Sequence, residues 1–345
     1  MRYRCLLPLS IAAVVLLPTG ASSAPKLIDC TCYDLFVIRP DGSHDALLSR
    51  GGGRNLFDVS PDRKRILYSH EIGQLRISTV RARHKRPLAN GIQIRNARFS
   101  PDSRRVLYEI DTTRCSGGLP ELHVIDADGD SDRTIGCSGY LVGWSNDSRR
   151  ILFARYTTPE RAETELVVAN RNGSHERTIA TARVIYGAAW SPRGNLVAYV
   201  TGGYKADVLW VVRPDGSQRL RLARGSTPTW SPDGRGLAFN WRRSGRALKY
   251  LATINADGTH AHVVDPKAID GYGQGIGWSP DGRRIVYRRD ADARCRCKMA
   301  LVVARRNGTH RRRLKLGEKN EEFGPVYWLP KSKGILYTSY VQKGV

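Results

Sequence analysis

Beyond residue 17 the sequence has no long apolar run, and the one sustained stretch, residues 6–17, is too short for the roughly twenty residues of a spanning helix. An integral helical membrane protein is thereby excluded. The short catalytic signatures are also missing: no G-x-S-x-G elbow, no H-E-x-x-H and no Walker loop occurs, which removes the usual hydrolase, zinc-protease and nucleotide-binding readings. Carboxylates are scarce, with 32 Asp and Glu against 56 Lys and Arg and a formal net charge of +24. Core-forming residues are not scarce: 41% of the chain is hydrophobic and 26% charged, a globular rather than a disordered composition. At 345 residues there is room for two ordinary domains or one large closed one.

Arg2 and Arg4, the apolar Leu6 to Leu17 and the small-residue stretch Pro18 to Ser23 read as a secretory signal peptide over residues 1–23, so a periplasmic or secreted protein is expected. Cys5 precedes the apolar stretch and cannot be a lipid-carrying cysteine. Six cysteines remain: Cys30, Cys32, Cys115, Cys137, Cys295 and Cys297. An even count in an oxidising compartment favours disulfides. The two C-x-C pairs lack both the usual zinc spacing and a nearby histidine.

Internal repeats organise the rest. Seven segments share an apolar or aromatic residue, a Ser-Pro-Asp-Gly-like turn and a β-branched run ending in an aromatic: FDVSPDRKRILYS at 57, ARFSPDSRRVLYE at 97, VGWSNDSRRILFA at 142, AAWSPRGNLVAYV at 188, PTWSPDGRGLAFN at 228, IGWSPDGRRIVYR at 276 and VYWLPKSKGILYT at 326. From Val59, Phe99, Trp144, Trp190, Trp230, Trp278 and Trp328 the closing aromatic always follows nine residues later. Each segment reads as a β-hairpin, strands A and B. A second pattern interleaves with it, as in LFVIRPDGS at 35, LWVVRPDGS at 209 and LVVARRNGT at 301, each a strand C running into a tight turn before strand D. Successive tryptophan-like positions lie 40 to 50 residues apart, the length of a four-stranded propeller blade.

The chain opens with the second pattern and finishes with the first, so the ends complete one blade together. The expected fold is all-β: a single seven-bladed β-propeller of four-stranded blades over residues 24–345, closed by N- and C-terminal strands sharing one blade, with almost no helix. The WSPDG and VxxDG units resemble the TolB-like β-propeller family, including the propellers of prolyl oligopeptidase-like enzymes. That resemblance covers nearly all of residues 24–345. TolB proper implies an N-terminal α/β domain and six blades, whereas here the repeats begin almost at the cleavage site and number seven, so the Tol-Pal partner role does not carry over directly.

Catalytic constellations are sparse. His44, His175, His260 and His310 recur after Gly-Ser or Gly-Thr in the outer turn, and His70, His84, His123 and His262 are scattered. Oligogalacturonate lyases, which the resemblance brings in, are seven-bladed and bind manganese through clustered histidines, and no such cluster is visible. Asp126, Asp128, Asp130 and Asp132 resemble a calcium loop without the downstream Glu, in the place where other repeats put a plain Asp-Gly turn. Both readings stay open, and no other cofactor is expected.

Formal charges total +8 over the seven A–B turns and +7 over the seven C–D turns, and strand alternation places both sets on one face. Such a face attracts polyanions. The candidate basic surface is Arg63, Lys64, Arg65, Arg104, Arg105, Arg149, Arg150, Arg283, Arg284, Arg311, Arg312 and Arg313. A solubilising, arginine-rich surface is the competing reading. The expected function is a monomeric, non-enzymatic interaction scaffold for an envelope protein or anionic polymer rather than nucleic acid; the alternative is a polysaccharide-active or other enzyme with its site at the propeller axis. In this fold Cys115 and Cys137 sit in the B–C turn and D–A link of one blade and are expected to pair. Cys30 and Cys32 face Cys295 and Cys297 across neighbouring blades, where two cross-blade bridges compete with a bridge inside each C-x-C.

Overall fold

The β-branched runs that follow the Ser-Pro-Asp turns are strands, and almost every other element is a strand as well. The computed structural model describes residues 34–49, 55–69, 73–81, 83–137, 139–157, 163–202, 207–242, 249–267, 275–291, 299–318, 321–329, 331 and 333–341. The signal-peptide stretch, His70 and the cysteines at 30, 32, 295 and 297 lie outside the described residues. Among the described residues there are twenty-seven strands and one 3-10 turn, Ser116–Gly118.

The strands assemble, by antiparallel pairing, into four-stranded sets. In chain order these are sheet 1 (residues 55–90), sheet 2 (94–137), sheet 3 (140–182), sheet 4 (185–224), sheet 5 (225–265) and sheet 6 (276–316). The long strand Leu220–Trp230 serves twice, pairing with Val208–Val212 through residues 220–224 and with Gly236–Arg242 through residues 225–230. Sheet 7 joins the two ends of the described chain. Its order is Ala46–Ser49, Asp34–Ile38, Ile335–Val341 and Glu321–Trp328, with Phe36 opposite Tyr337 and Ile38 opposite Ile335.

Burial explains the sequence pattern. The second strand of each set is buried on both faces, as in Arg105–Asp111 and Arg150–Tyr156, where Val106, Leu107, Ile151 and Leu152 are fully covered. A continuous apolar run therefore replaces the alternation of a one-sided sheet. The fourth strand is outermost and mostly wet, as in Arg133–Cys137. Seven apolar clusters each draw on two sheets. One joins Phe57 and Leu67 of sheet 1 to Phe99 and Tyr108 of sheet 2, and another joins Leu35 and Leu336 of sheet 7 to Val59, Ile66 and Tyr68 of sheet 1.

Polar bonds fix how neighbouring sheets meet. The Trp144, Trp230, Trp278 and Trp328 indoles donate to the carbonyls of Arg98, Ala189, Thr229 and Gly277 at 3.0–3.2 Å, in each case the residue just before the aromatic of the preceding sheet. Phe99 has no indole N–H. At its seam the half-buried Asp58 carboxylate accepts the Phe99 and Val59 N–H groups, both at 2.9 Å. Burial pushes this carboxyl above its ordinary pKa, and the nearby Arg98 pulls the other way. Cys115 and Cys137 form a disulfide that ties the loop after the second strand of sheet 2 to the end of its fourth strand, with Cα atoms 5.7 Å apart. Closing this loop contributes about 3 kcal/mol in the chain-entropy account.

The indole bonds generate a differential test. Trp190 breaks the pattern: its buried indole N–H has no partner among the described residues. Trp278→Phe strands the Thr229 carbonyl at a seam and is expected to cost about 1–3 kcal/mol more than Trp190→Phe, which removes no such bond. Urea unfolding of the two variants checks it, and equal losses would count against the seam bond.

Candidate functional site

The Ser-Pro-Asp segments build a stiff rim. In sheet 1 the buried Ser60 hydroxyl donates to Asp62 at 2.5 Å and accepts the Arg65 N–H at 2.9 Å, while Asp62 also accepts the Lys64 N–H at 3.1 Å. The same bonds recur at Ser100–Asp102, Ser145–Asp147, Ser231–Asp233 and Ser279–Asp281. Small hydroxyl and carboxylate groups are needed because each satisfies the backbone of its own turn. The fourth turn position has positive φ in six of the turns, filled by Gly194, Gly234 and Gly282 but also by Arg63, Ser103 and Ser148 at 58–60°; in the turn of sheet 7 the third residue, Lys331, has a φ of 57°.

A–B and C–D turns lie at one end of the sheets and are bonded together. The N–H groups of Val80, Ala127, Arg171, Ala256 and Arg306 donate to the carbonyls of Lys64, Arg104, Arg149, Arg235 and Arg283 at 2.7–2.9 Å. Sheets 4 and 7 carry Pro214 and Pro40 at the corresponding position, where no N–H exists. Neighbouring A–B turns are linked in turn, with Asp102 N–H donating to the Ser148 hydroxyl at 3.1 Å.

The twelve basic candidates divide on this face. Arg65, Arg150 and Arg284 lie 5.6, 5.0 and 5.1 Å over the rings of Phe99, Trp190 and Trp328 in the next sheet, and Arg63 lies 5.7 Å over Tyr327. Arg105 is paired with Asp126 at 3.2 Å, and Arg311 donates to the Val264 carbonyl at 2.9 Å. Five of these are committed to the seams, and Arg105 to a carboxylate of its own sheet. Lys64, Arg104, Arg149, Arg283, Arg312 and Arg313 are exposed. Between the turns lie open cavities: one of about 550 Å³ bordered by Arg105, Arg133, Arg149, Arg171 and Asp126, and one of about 510 Å³ bordered by Asp281, Arg283, Arg284, Arg305, Arg306 and Asn307.

The acidic run goes separate ways. Asp126 meets Arg105, Asp128 accepts the Asp130 N–H at 3.1 Å, and Asp132 accepts the Tyr108 hydroxyl at 2.7 Å and contacts His123 at 3.3 Å. His44, His175, His260 and His310 all adopt positive φ in the outer turns and are exposed. Among the described residues no group of three or more His, Cys, Asp and Glu is arranged to hold a metal ion. No helix there is long and apolar enough to cross a membrane.

The family model for the TolB beta propeller domain matches residues 116–344. The chain belongs to that family. Solved structures similar to it include TolB from Acinetobacter baumannii, with 13% identity and a TM-score of 0.51 over 91% of this chain. This chain spans 64% of that one. A putative TolB from Agrobacterium tumefaciens matches with 16% identity and a TM-score of 0.55, covering 91% of this chain and 100% of its own. An oligogalacturonate lyase from Vibrio parahaemolyticus matches with 14% identity and a TM-score of 0.63, covering 91% and 98%. At such identities the likeness is one of fold.

Sequence reasoning about this TolB-type propeller treated the twelve basic residues alike and missed the stacked pairs. Part of a signal was there: Arg65, Arg150 and Arg284 sit five residues after the turn serine, a place shared by Arg105, which pairs with Asp126 instead. The cavity residues Arg305 and Arg306 were also passed over, although they adjoin the Arg311 to Arg313 run.

The propeller's rim carries a pH signature. Burial pushes Asp62, Asp102, Asp147, Asp233 and Asp281 up, but the serine hydroxyl, a backbone N–H and adjoining basic side chains outweigh it and hold each below the usual carboxylate range. With folded pKa values depressed, their contribution is present above about 3.9 and is lost as pH falls through the folded values. His123 has the opposite sign: burial lowers it, while Asp132 and Glu121 raise it to a net position above 6.5, so its contribution is complete below 6.5 and lost as pH rises through the folded value. Melting temperature is expected to drop on the acid side below about pH 4, a drop flattened in D102N/D147N/D281N, and to decline above about pH 6.5 in a step that H123Q removes. Unchanged acid-side behaviour in the triple variant would contradict the assignment.

Proposed function

We propose that this TolB-type chain forms a closed seven-bladed propeller, exported to the cell envelope, that acts as a non-enzymatic scaffold and engages an acidic protein or polymer through its turn face. Closure is supported by the pairing of Asp34–Ile38 with Ile335–Val341 and by the apolar cluster shared between sheets 7 and 1. A closed ring also removes the open sheet edges that invite aggregation. Export follows from the leader-like residues 1–23.

One observation carries the binding reading: both sets of turns, hydrogen-bonded to each other, present Lys64, Arg104, Arg149, Arg283, Arg312 and Arg313 to solvent on a single rigid end. A fixed array of one sign concentrates field and raises encounter rates with polyanions. The stacked arginines beneath cannot serve in the same way, because their positions are set by the next sheet's aromatic ring.

The exposed set is expected to dominate retention on heparin. The variant K64Q/R104Q/R149Q/R312Q/R313Q should elute at clearly lower salt with an unchanged melting temperature. Elution at the wild-type salt concentration would leave the arginines a solubilising role only.

A further inference from the structure

The 510 Å³ cavity on sheet 6 differs from the 550 Å³ cavity in how its charge is held. Its border contains Arg283 and Arg284 from the A–B turn, Arg305 and Arg306 from the C–D turn, and Asp281 and Asn307. The two turns are locked by the Arg306 N–H donating to the Arg283 carbonyl at 2.9 Å. Among the described residues none of the four guanidiniums lies within ion-pair distance of a carboxylate. Asp281 is spent on its own turn, accepting the Ser279 hydroxyl at 2.5 Å and the Arg283 N–H at 3.1 Å. In the 550 Å³ cavity, by contrast, Asp126 already neutralises Arg105.

Two of the four are pre-positioned. Arg284 lies 5.1 Å over Trp328 and Arg306 lies 5.9 Å over Trp278, so their guanidiniums are held beside rings, and a guanidinium resting on a ring keeps N–H groups for oxygens. Gly236 explains the second stack: sheet 5 has no arginine where sheets 1, 3 and 6 do, and a Cβ there would sit 3.6 Å from an Arg306 terminal nitrogen. Asn307 completes the border. Its side-chain oxygen accepts the Thr309 N–H and hydroxyl at 3.1 and 2.7 Å, which leaves the amide N–H groups as donors.

Resting on the reading of the turn face as an anion-binding surface, we infer that this cavity binds a phosphate monoester carried on a sugar. Four cations against Asp281 on the border and Asp233, which lies close enough to Arg306 to feel its charge, leave an excess that matches a dianion better than a single carboxylate, and a phosphomonoester carries about −1.5 to −2 at neutral pH. Guanidinium forks suit its oxygens. A volume of about 510 Å³ exceeds the need of one phosphate and falls among small-molecule sites, and Asn307 offers neutral donors for hydroxyls.

Calorimetric titration of the full chain with glucose 6-phosphate and, separately, glucuronate tests the site. Glucose 6-phosphate is expected to bind more tightly than glucuronate, with affinity falling about tenfold or more in R283Q/R305Q, which spares both stacked arginines, and unchanged in R104Q/R149Q. Equal binding of the two ligands, no binding of glucose 6-phosphate, or wild-type affinity in R283Q/R305Q overturns the inference. Flotation with vesicles carrying a phosphorylated disaccharide lipid, competed by glucose 6-phosphate, would place the phosphosugar on a membrane, and solution binding without flotation would place it on a soluble saccharide. If this site fails while heparin elution still responds to the exposed set, the turn-face reading survives. Insensitivity of heparin elution as well removes both.

Discussion

A sheet whose second strand is buried on both faces cannot end a row, because one of those faces would then be bare. Leu107, Leu152, Val197 and Leu237 are fully covered, each in the second strand of its sheet, and what covers them belongs to the sheets on either side. That requirement runs through the whole molecule. Indole bonds set the spacing at four seams, Asp58 replaces them where Phe99 cannot donate, and the terminal strands share sheet 7. Lys315 reinforces that last sheet from its neighbour, contacting Asp45 at 3.0 Å and lying 4.9 Å over the Phe36 ring.

The same constraint shapes the charged end. A rim made of short turns has little apolar material of its own, so the aromatic residue of each sheet would be partly open at the top. Arg65, Arg150 and Arg284 lie over those rings, burying the side-chain stems while the charge remains wet. Sheet 5 lacks the arginine and borrows Arg306 from sheet 6. The outward charge is therefore a second layer laid on a first.

Much of the fold was legible because the repeat is strict where chemistry is local. The nine-residue step from Trp144 to Phe153 or from Trp278 to Tyr287 fixes a hairpin, and the turns that pair a Ser with an Asp two residues on satisfy their own backbone, so those five read alike. What could not be read is what one copy does to the next. Arg65 and Lys64 are adjacent cations in the sequence, yet one is held against Phe99 and the other is exposed. Asp132 looked like one of four equivalent carboxylates and instead takes the Tyr108 hydroxyl and His123. Such roles depend on partners on other strands, as far as 24 residues away for Asp132 and Tyr108, beyond the reach of local pattern.

Closure through the shared sheet is the claim on which the account rests, and hydrogen exchange followed by mass spectrometry on the intact protein tests it most directly. Amides in Asp34–Ile38 and Ile335–Val341 are predicted to exchange as slowly as those of the buried strands Arg105–Asp111 and Arg150–Tyr156, since all would open only with the whole ring. Fast exchange confined to the two terminal strands, with the inner sheets still protected, would contradict it.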